Sequence, residues 1–189
     1  MSDLLQQLNA EMATIVEDVR HSLVRINNGR GGAGAGTVWH PDGLILTNAH
    51  VVGRRALKVT LSDGRSLPAR LLAHDANYAI ELGDSGQLQS GHWVLALGHP
   101  WGVPGAVTAG IVIGVGPLPE MPTPQRELIH VSLHLRPGDS GGPLVDVHGR
   151  LVGINTMMAG PDVGVAVPVH VVKTFLRQAL EPQKTASLN

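Results

Sequence analysis

Residues 138–143 read GDSGGP, and this stretch decides both the fold and the chemistry that we expect. A serine between glycines, directly before the apolar pair Leu144 and Val145, places a hydroxyl where the backbone can bend sharply and approach a ligand closely. Successive backbone N–H groups in such a turn converge into an anion-binding nest. A nucleophile beside an oxyanion hole is what acyl transfer requires. The sequence therefore predicts that Ser140 is a nucleophile, the alternative being a plain glycine-rich hairpin turn.

A histidine upstream is the expected partner of this serine. Residues 47–52 read TNAHVV and follow the apolar run LIL at 44–46. A lone histidine after a buried strand is usually a core residue, but an imidazole can also take the serine proton near neutral pH and return it to the leaving group. The order histidine first and serine last is that of the chymotrypsin-like peptidases. We therefore expect His50 to act as general base and then as general acid.

Several further stretches resemble the HtrA (Deg) branch of these peptidases. Residues 32–52 resemble the strand and histidine turn of that family, and residues 91–102, GHWVLALGHPWG, resemble its segment GDWVLAIGNPFG. Residues 151–160 and 163–172 resemble the strands that follow the nucleophile, so that the match runs from about 24 to 176. The resemblance implies two six-stranded antiparallel barrels with an active site in the cleft between them. It also implies serine endopeptidase activity on unfolded or extended polypeptides.

The hydrophobic pattern divides the chain into three parts. Residues 1–22 are predicted to form a helical segment. Residues 23–90 carry short apolar runs separated by Gly, Pro, Asn and Asp, which is typical of a barrel or sandwich, and residues 91–189 repeat that pattern before a C-terminal helix. We therefore predict an all-β fold of two Greek-key barrels, the first carrying His50 and the second Ser140, with a helix at each end.

The triad acid is the point where the sequence departs from the family pattern. In HtrA peptidases the acid lies in a segment like D-P-x-x-D-L-A-L-L-x-V, before a spacer that leads to LGDS. Here residues 73–85 read AHDANYAIELGDS. Asp75 matches the first, non-catalytic Asp of the pattern, and Ala79 stands where the catalytic one would follow Tyr78. About a dozen residues, a strand and a connection, are therefore expected to be missing after Tyr78.

Two explanations of this departure stay open. A deletion would remove the acid and a barrel strand together, and a sequence from which a loop had been left out would read the same. If the acid is absent, Asp75 is a candidate substitute for it. The departure also motivates an alternative function, a catalytically impaired module that captures extended peptides or acts as a chaperone without cutting them.

The resemblance implies roles for the residues around the nucleophile. The backbone N–H groups of Gly138 and Ser140 would form the oxyanion hole. Asp139 stands where many HtrA members have Asn, and trypsins carry Asp there. The base of the S1 pocket falls near His134, and because no Asp stands there we expect small or aliphatic P1 residues. The residues that would pair with the substrate backbone as an added strand are Ile154, Asn155 and Thr156.

The N-terminal segment carries one apolar stripe at helical spacing. The stripe either packs on the body of the protein or joins protomers, and the resemblance implies a homotrimer through this region, although the aromatic residues often used there are absent. HtrA proteins usually carry PDZ domains after the peptidase, and we expect none in this chain. The stripe consists of Leu4, Leu5, Leu8, Met12, Ile15, Val16 and Val19.

The composition and net charge exclude several classes of binding partner and cofactor from what we expect. The net charge of −1 and the pI of about 6.8 argue against nucleic acid or an anionic membrane surface. No run suits a membrane span, and the start lacks the apolar core of a signal peptide. The chain has no cysteine, which fits a reducing compartment and also a bacterial envelope protein. Ten histidines invite a metal hypothesis, but no HExxH motif or clustered Cys/His spacing occurs, so we expect no metal and no cofactor.

Overall fold

The computed structural model describes residues 2–27, 33–52, 57–69, 81–118 and 127–180. Helix α1 (Ser2–Ser22) begins the chain, with Asp3 in its first turn and Arg20 and His21 in its last, each placed to complement the helix dipole. Its C-terminal half packs on the body of the protein through the stripe's later members, among them the buried Val19. The N-terminal part of the same stripe is exposed, since Leu4, Leu5 and Leu8 are 71%, 61% and 52% accessible.

A five-stranded antiparallel sheet follows the helix. Its spatial order is β3-β2-β1-β4-β5. Within the described residues, the first half is therefore an open five-stranded sheet, whereas the resemblance implied a closed six-stranded barrel. The point after Tyr78 where a strand is predicted to be missing lies in residues 70–80, outside the described residues. The strands are β1 (Leu23–Asn27), β2 (Ala33–His40), β3 (Leu44–Leu46), β4 (Leu57–Thr60) and β5 (Ser66–Ala69).

The second half forms a closed six-stranded barrel, which confirms the predicted barrel and its C-terminal helix. The order around the barrel is β10-β11-β8-β7-β6-β9, with every pair antiparallel. No helix in the described part of the chain combines the length and apolarity needed to cross a bilayer. The elements are β6 (Trp93–Gly98), β7 (Ala106–Gly116), β8 (Leu128–Ser132), β9 (Pro143–Val145), β10 (Leu151–Met158), β11 (Val163–Pro168) and helix α2 (Val169–Leu180).

Both halves share one Greek-key topology. In each, three consecutive strands form a meander and the fourth strand returns to lie beside the first: β4 beside β1, and β9 beside β6. The connection between the third and fourth strands is therefore equivalent in the two halves. It begins at residue 47 in the first half and spans 133–142 in the second. His50 and Ser140 thus lie on equivalent connections.

The core is aliphatic, as a chain with five aromatic residues requires. One buried cluster joins α1, the first sheet, the barrel and α2, including Leu23, Ala35 and Leu97. A second cluster, including Val131 and Leu144, fills the barrel. Because the first cluster packs the two halves against each other, the connections that carry His50 and Ser140 are held at one boundary.

Candidate active site between the two sheets

The loop that carries Ser140 depends on glycines that have no room for a side chain. Gly138 has a φ of 109°, and a Cβ atom there would overlap the backbone carbonyl of His99. Gly141 has a φ of 88°, and its Cβ would overlap the carbonyl of Ala35. An L side chain at either position would meet both a steric overlap and an unfavourable backbone conformation. The glycines of the GDSGGP stretch are therefore required by the path of the loop.

The buried side chain of Asp139 is hydrogen-bonded to the turn that precedes the nucleophile. Its side chain is 5% accessible, and its Oδ2 accepts a hydrogen bond of 2.8 Å from the Arg136 N–H. The Asp139 N–H donates back to the Arg136 carbonyl at 2.9 Å. Burial raises the pKa of Asp139 above its ordinary value, and the Arg136 N–H and charge oppose this effect only in part. The turn is thus built around a carboxylate that burial disfavours.

The Ser140 backbone is clamped between the two halves. Its carbonyl accepts a 2.9 Å hydrogen bond from the N–H of Ala35 on β2. The next residue, Gly141, donates to the carbonyl of Asn155 on β10 at 2.8 Å, and Gly142 accepts from the Asn155 N–H at 2.9 Å. The Ser140 hydroxyl itself donates to the carbonyl of Thr156, 2.8 Å away. The nucleophile therefore lies at a fixed point with its hydroxyl engaged.

The predicted oxyanion hole has a consistent backbone arrangement. Within the described residues, neither the Gly138 N–H nor the Ser140 N–H donates a hydrogen bond. The Pro137 carbonyl accepts from the Trp101 N–H at 3.1 Å, and the Gly138 carbonyl accepts from the His99 N–H at 3.0 Å. Because the C=O and N–H of a trans peptide point in opposite directions, the Gly138 N–H points away from Trp101. Two unused donors beside the serine are what an oxyanion requires.

The turn that carries His50 is tied to the same strand as the serine loop. The Asn48 side chain donates to the Asn155 carbonyl at 2.6 Å, and its Oδ1 accepts from the Thr156 hydroxyl at 3.3 Å. The Thr47 hydroxyl donates to the Ala35 carbonyl at 2.8 Å. His50 is exposed, and no hydrogen bond joins it to Ser140 in the part of the chain that is described. Its role as general base stays a prediction.

The three residues predicted to pair with the substrate differ in exposure and in whether their backbone groups are already hydrogen-bonded. Asn155 is fully buried, its side-chain amide donates to the Pro143 carbonyl at 2.9 Å, and both its backbone groups are bonded to the serine loop. Ile154 is also buried and pairs with β9 and β11. Thr156 lies at a register shift between Asn155 and Met157 in the pairing with β11. Of the three, only Thr156 is partly accessible.

His134 lies at the surface with an acidic neighbour. Its Nδ1 is 3.2 Å from Oδ1 of Asp162, and the two side chains are 53% and 81% exposed. The next residue, Leu135, is buried, and its N–H donates to the sulfur of Met158 at 3.1 Å. Both Leu135 and Met158 belong to the cluster that fills the barrel.

The region where the triad acid was expected lies outside the described residues. It contains Asp75 and the point after Tyr78 where the family pattern is interrupted. The chain is described again from Glu81, whose carbonyl accepts from the Leu151 N–H at 2.7 Å, while the Gly83 N–H donates to the Leu151 carbonyl at 2.8 Å. Residues 81–83 therefore run beside the start of β10.

Sequence reasoning assigned no role to three residues that hold the site together. Asn48 stands inside the quoted TNAHVV stretch, and His99 and Trp101 stand inside GHPWG. The only signals were that Asn48 is two residues before His50 and that GHPWG lies in a stretch resembling the HtrA segment. Their roles depend on contacts with residues about forty to one hundred positions away, which spacing along the chain does not reveal.

The sequence matches a known domain family and is similar to curated proteins. The trypsin-like peptidase domain family matches residues 34–154. The mitochondrial serine protease HTRA2 of Drosophila persimilis and that of Drosophila willistoni are each 35% identical over 173 residues, which is 82% of this chain and 40% of theirs. The chain therefore spans about two fifths of the length of these relatives.

Solved structures agree with these relatives. The HtrA-type protease AlgW with a tripeptide superimposes with a TM-score of 0.83 at 29% identity, covering 89% of this chain and 63% of that one. AlgW with a decapeptide superimposes with a TM-score of 0.81 at 25% identity. The chain belongs to the trypsin-like peptidase domain family, and the relatives that it resembles within that family are HtrA-type serine proteases.

Proposed function

We propose that this chain is a serine endopeptidase that hydrolyses peptide bonds of unfolded or extended polypeptides. The observation that carries the proposal is the shared carbonyl of Asn155, which accepts from both Asn48 and Gly141. It holds the turn of the predicted base and the loop of the predicted nucleophile against one residue. Membership of the trypsin-like peptidase domain family supports the same reaction.

The proposed reaction proceeds by acyl transfer. The Ser140 hydroxyl oxygen attacks the scissile carbonyl carbon while the His50 imidazole takes the hydroxyl proton. The N–H groups of Gly138 and Ser140 stabilise the negative oxygen of the tetrahedral intermediate. Protonated His50 then gives its proton to the leaving amine as the C–N bond breaks. Water, activated by His50 in turn, hydrolyses the acyl-enzyme and restores the serine.

Substrate binding would release the serine hydroxyl from its resting bond. The pairing of β10 with β9 ends at Ile154, and the Asn155 backbone is bonded to the serine loop, so the edge available to an added strand begins at Thr156. A substrate N–H donating to the Thr156 carbonyl would compete with the Ser140 hydroxyl for that acceptor. We therefore infer that residues 156–158 pair with the substrate backbone, two positions further along than the predicted residues 154–156.

The pocket for the P1 side chain is proposed to be apolar. Leu135 and Met158, which are in contact, lie close to the loop of the nucleophile and carry no charge. His134 and Asp162 face each other at the surface. A long basic P1 side chain would then have no buried carboxylate to pair with, and small or aliphatic P1 residues are favoured.

The deciding experiment is labelling with a fluorophosphonate probe alongside digestion of unfolded casein. The parent protein should be labelled and should cleave casein, and the Ser140→Ala variant should do neither. Ser90→Ala, which removes an exposed serine from the barrel, is the matched control and should behave as the parent does. A parent protein that binds casein but is neither labelled nor active would be a peptide-binding module.

We also propose that protomers associate through α1, with a homotrimer as the expected assembly. Leu4, Leu5 and Leu8 are large apolar side chains exposed to solvent on a helix whose other end is packed. Three such side chains within two turns form an apolar patch that a second copy of the chain would cover. Light scattering after gel filtration tests the assembly directly.

A further inference from the structure

His99 occupies an unusual position beneath the serine loop. It follows β6 directly and stands where the HtrA segment GNPFG has Asn. The residue is 9% accessible. Its backbone N–H donates to the Gly138 carbonyl at 3.0 Å, and its own carbonyl accepts from the Gly102 N–H at 3.0 Å. A titratable ring is therefore built into the segment that contacts the predicted oxyanion hole.

The contacts of the ring determine which form of His99 fits the structure. Nδ1 accepts a hydrogen bond of 3.2 Å from the Gly105 N–H, so that this nitrogen carries no proton. The proton of the neutral ring then lies on the buried Nε2. The pKa of His99 is lowered chiefly by burial, with the Val24 backbone opposing this effect and the Arg25 charge adding to it. Geometry and environment thus select the same neutral tautomer.

The charged groups around the ring do not favour its protonation. A cavity of about 570 Å³ lies on this side of the loop and is lined by His99 together with residues of α1, β1 and the β4–β5 turn. Its two carboxylates are each paired with an arginine, Glu17 with Arg20 and Asp63 with Arg65. The charged or titratable residues that line this cavity with His99 are Glu17, Arg20 and His21 on α1, Arg25 on β1 and Asp63 in the turn. The serine loop, which is bonded to the His99 backbone, carries Arg136 and Asp139.

The segment 99–105 connects this ring to the oxyanion hole. Gly105 is held on both sides, because its N–H donates to the His99 ring and its carbonyl accepts from Arg20 Nε at 3.0 Å. Within the segment, the N–H groups of His99 and Trp101 hold the carbonyls of Gly138 and Pro137. The Pro137 carbonyl belongs to the Pro137–Gly138 peptide, so its bond to Trp101 sets the direction of the Gly138 N–H, while the bond from His99 holds the peptide that follows Gly138.

We propose that His99, in its neutral form, is a positioning residue for the oxyanion hole: by accepting from Gly105 it fixes the segment 99–105, which in turn orients Gly138. This inference rests on the proposed function of Ser140. A proton on Nδ1 would bring two N–H donors face to face at Gly105 and abolish that hydrogen bond. The segment then loses the bond that joins its two ends, and the Gly138 N–H loses its fixed direction.

The kinetic test compares two variants that differ in where they place a polar atom. In His99→Asn, Oδ1 takes the place of Nδ1 and accepts from Gly105 without titrating. In His99→Gln, the amide reaches the place of Nε2 and leaves Gly105 without its acceptor. We expect His99→Gln to lower kcat about 10-fold or more with KM little changed, because an oxyanion hole acts on the transition state. His99→Asn should restore most of that loss.

The pH profile separates positioning from a general loss of structure. Protonation of His99 removes the Gly105 hydrogen bond in the parent, and asparagine at this position cannot titrate. On acidification kcat should therefore fall further in the parent than in His99→Asn, by about the factor that separates His99→Gln from His99→Asn. Equal acid limbs in the parent and His99→Asn, or equal kcat in His99→Asn and His99→Gln, would overturn the proposal.

An NMR titration keeps this result apart from the proposed activity. In a Ser140→Ala background, which needs no turnover, the ring nitrogens of His99 should show a proton on Nε2 alone at neutral pH. On acidification, the amide signals of Gly105 and Gly138 should shift with the same midpoint as the His99 ring, and this shift should be absent in His99→Asn/Ser140→Ala. If the Gly138 amide signal does not shift as His99 is protonated, His99 does not position the oxyanion hole. If the signal shifts as expected but the parent protein cleaves no peptide bonds, the positioning role stands and only the proposed function is refuted.

Discussion

The Asn48 side-chain amide donates a 2.6 Å hydrogen bond to the Asn155 carbonyl, which also accepts from the Gly141 N–H at 2.8 Å. Asn48 is two residues before His50, and Gly141 is the residue after Ser140. One carbonyl therefore fixes the two predicted catalytic residues relative to each other across the boundary of the two sheets. This bond is long-range in sequence, so it forms only when both halves are folded and packed together.

Replacing Asn48 should affect activity more than stability. Asn48→Asp keeps the shape and the acceptor for Thr156 but loses the donor, and Asn155 still accepts from Gly141. The free energy of unfolding should fall by at least about 1 kcal/mol, the usual worth of one hydrogen bond, because the new carboxylate oxygen also faces the Asn155 carbonyl. A small displacement of His50 should lower kcat/KM about 10- to 100-fold. Thr156→Val, which removes only the weaker partner of Asn48, is the control and should lose less. Unchanged kcat/KM in Asn48→Asp would show that this bond does not position the base.

Asp75→Asn tests whether a substitute acid exists. Asp75 aligns with the non-catalytic Asp of the HtrA pattern, so we expect kcat/KM to change less than about threefold, far from the 10⁴-fold loss that removal of a true triad Asp causes. His50→Ala, by contrast, should abolish measurable turnover. A loss of a thousandfold or more in Asp75→Asn would make Asp75 the triad acid.

The sequence predicted the parts of the fold that depend on local patterns. The stripe of α1, the short strands and the glycines of residues 138–142 all follow from periodicity or from backbone geometry. Ser140 is predicted as the nucleophile because its motif is local and chemically specific, and this role stays a prediction. The sequence did not reveal which backbone groups of Asn155 are already bonded, since they pair with the serine loop rather than with a strand. It also did not reveal that the apolar stripe of α1 is divided into a packed half and an exposed half, because periodicity shows which residues share a face but not how far the face is covered.

Trp101 provides a test of backbone strain beside the site. It has a φ of 50° and is 74% exposed, and its ring lies 5.5 Å from the Arg136 guanidinium. A non-glycine residue in this left-handed region costs about 1–2 kcal/mol. Trp101→Gly should therefore be more stable than Trp101→Ala by about 1 kcal/mol, the reverse of the usual order of these residues. Denaturant unfolding of the two variants, neither of which retains the contact with Arg136, isolates the backbone contribution.

Negative charges placed on the exposed end of α1 should prevent the proposed association of protomers. Leu4→Glu/Leu8→Glu places two carboxylates in the proposed contact between protomers, and burying them there would be strongly unfavourable. The variant should sediment as a monomer, with an unfolding midpoint that no longer depends on protein concentration. Asn9→Glu adds a carboxylate at an exposed polar position of the same helix and should keep the parent's assembly. A parent protein that is already monomeric at high concentration would rule out the homotrimer.

Asp139 predicts a pH dependence of stability whose sign follows from its burial. The folded-state pKa of this carboxyl is raised above the ordinary value of 3.8. Between the two pKa values the folded protein binds the proton more readily than the unfolded chain does, so the free energy of unfolding decreases as the pH rises through that window. Above the folded-state pKa the full cost of the buried charge is present. Asp139→Asn cannot ionise, and its Oδ1 can still accept from the Arg136 N–H.

In a Ser140→Ala background, Asp139→Asn should therefore gain stability relative to its parent as the pH is raised. Urea unfolding between about pH 3 and pH 8 measures the difference, which should grow through the acidic range and then level off. Asp18→Asn removes a carboxylate from an exposed position on α1 and serves as the control for the change in net charge. A variant whose advantage shrinks as the pH rises would mean that the Asp139 carboxylate stabilises the folded protein, and that its contacts with Arg136 outweigh the effect of burial.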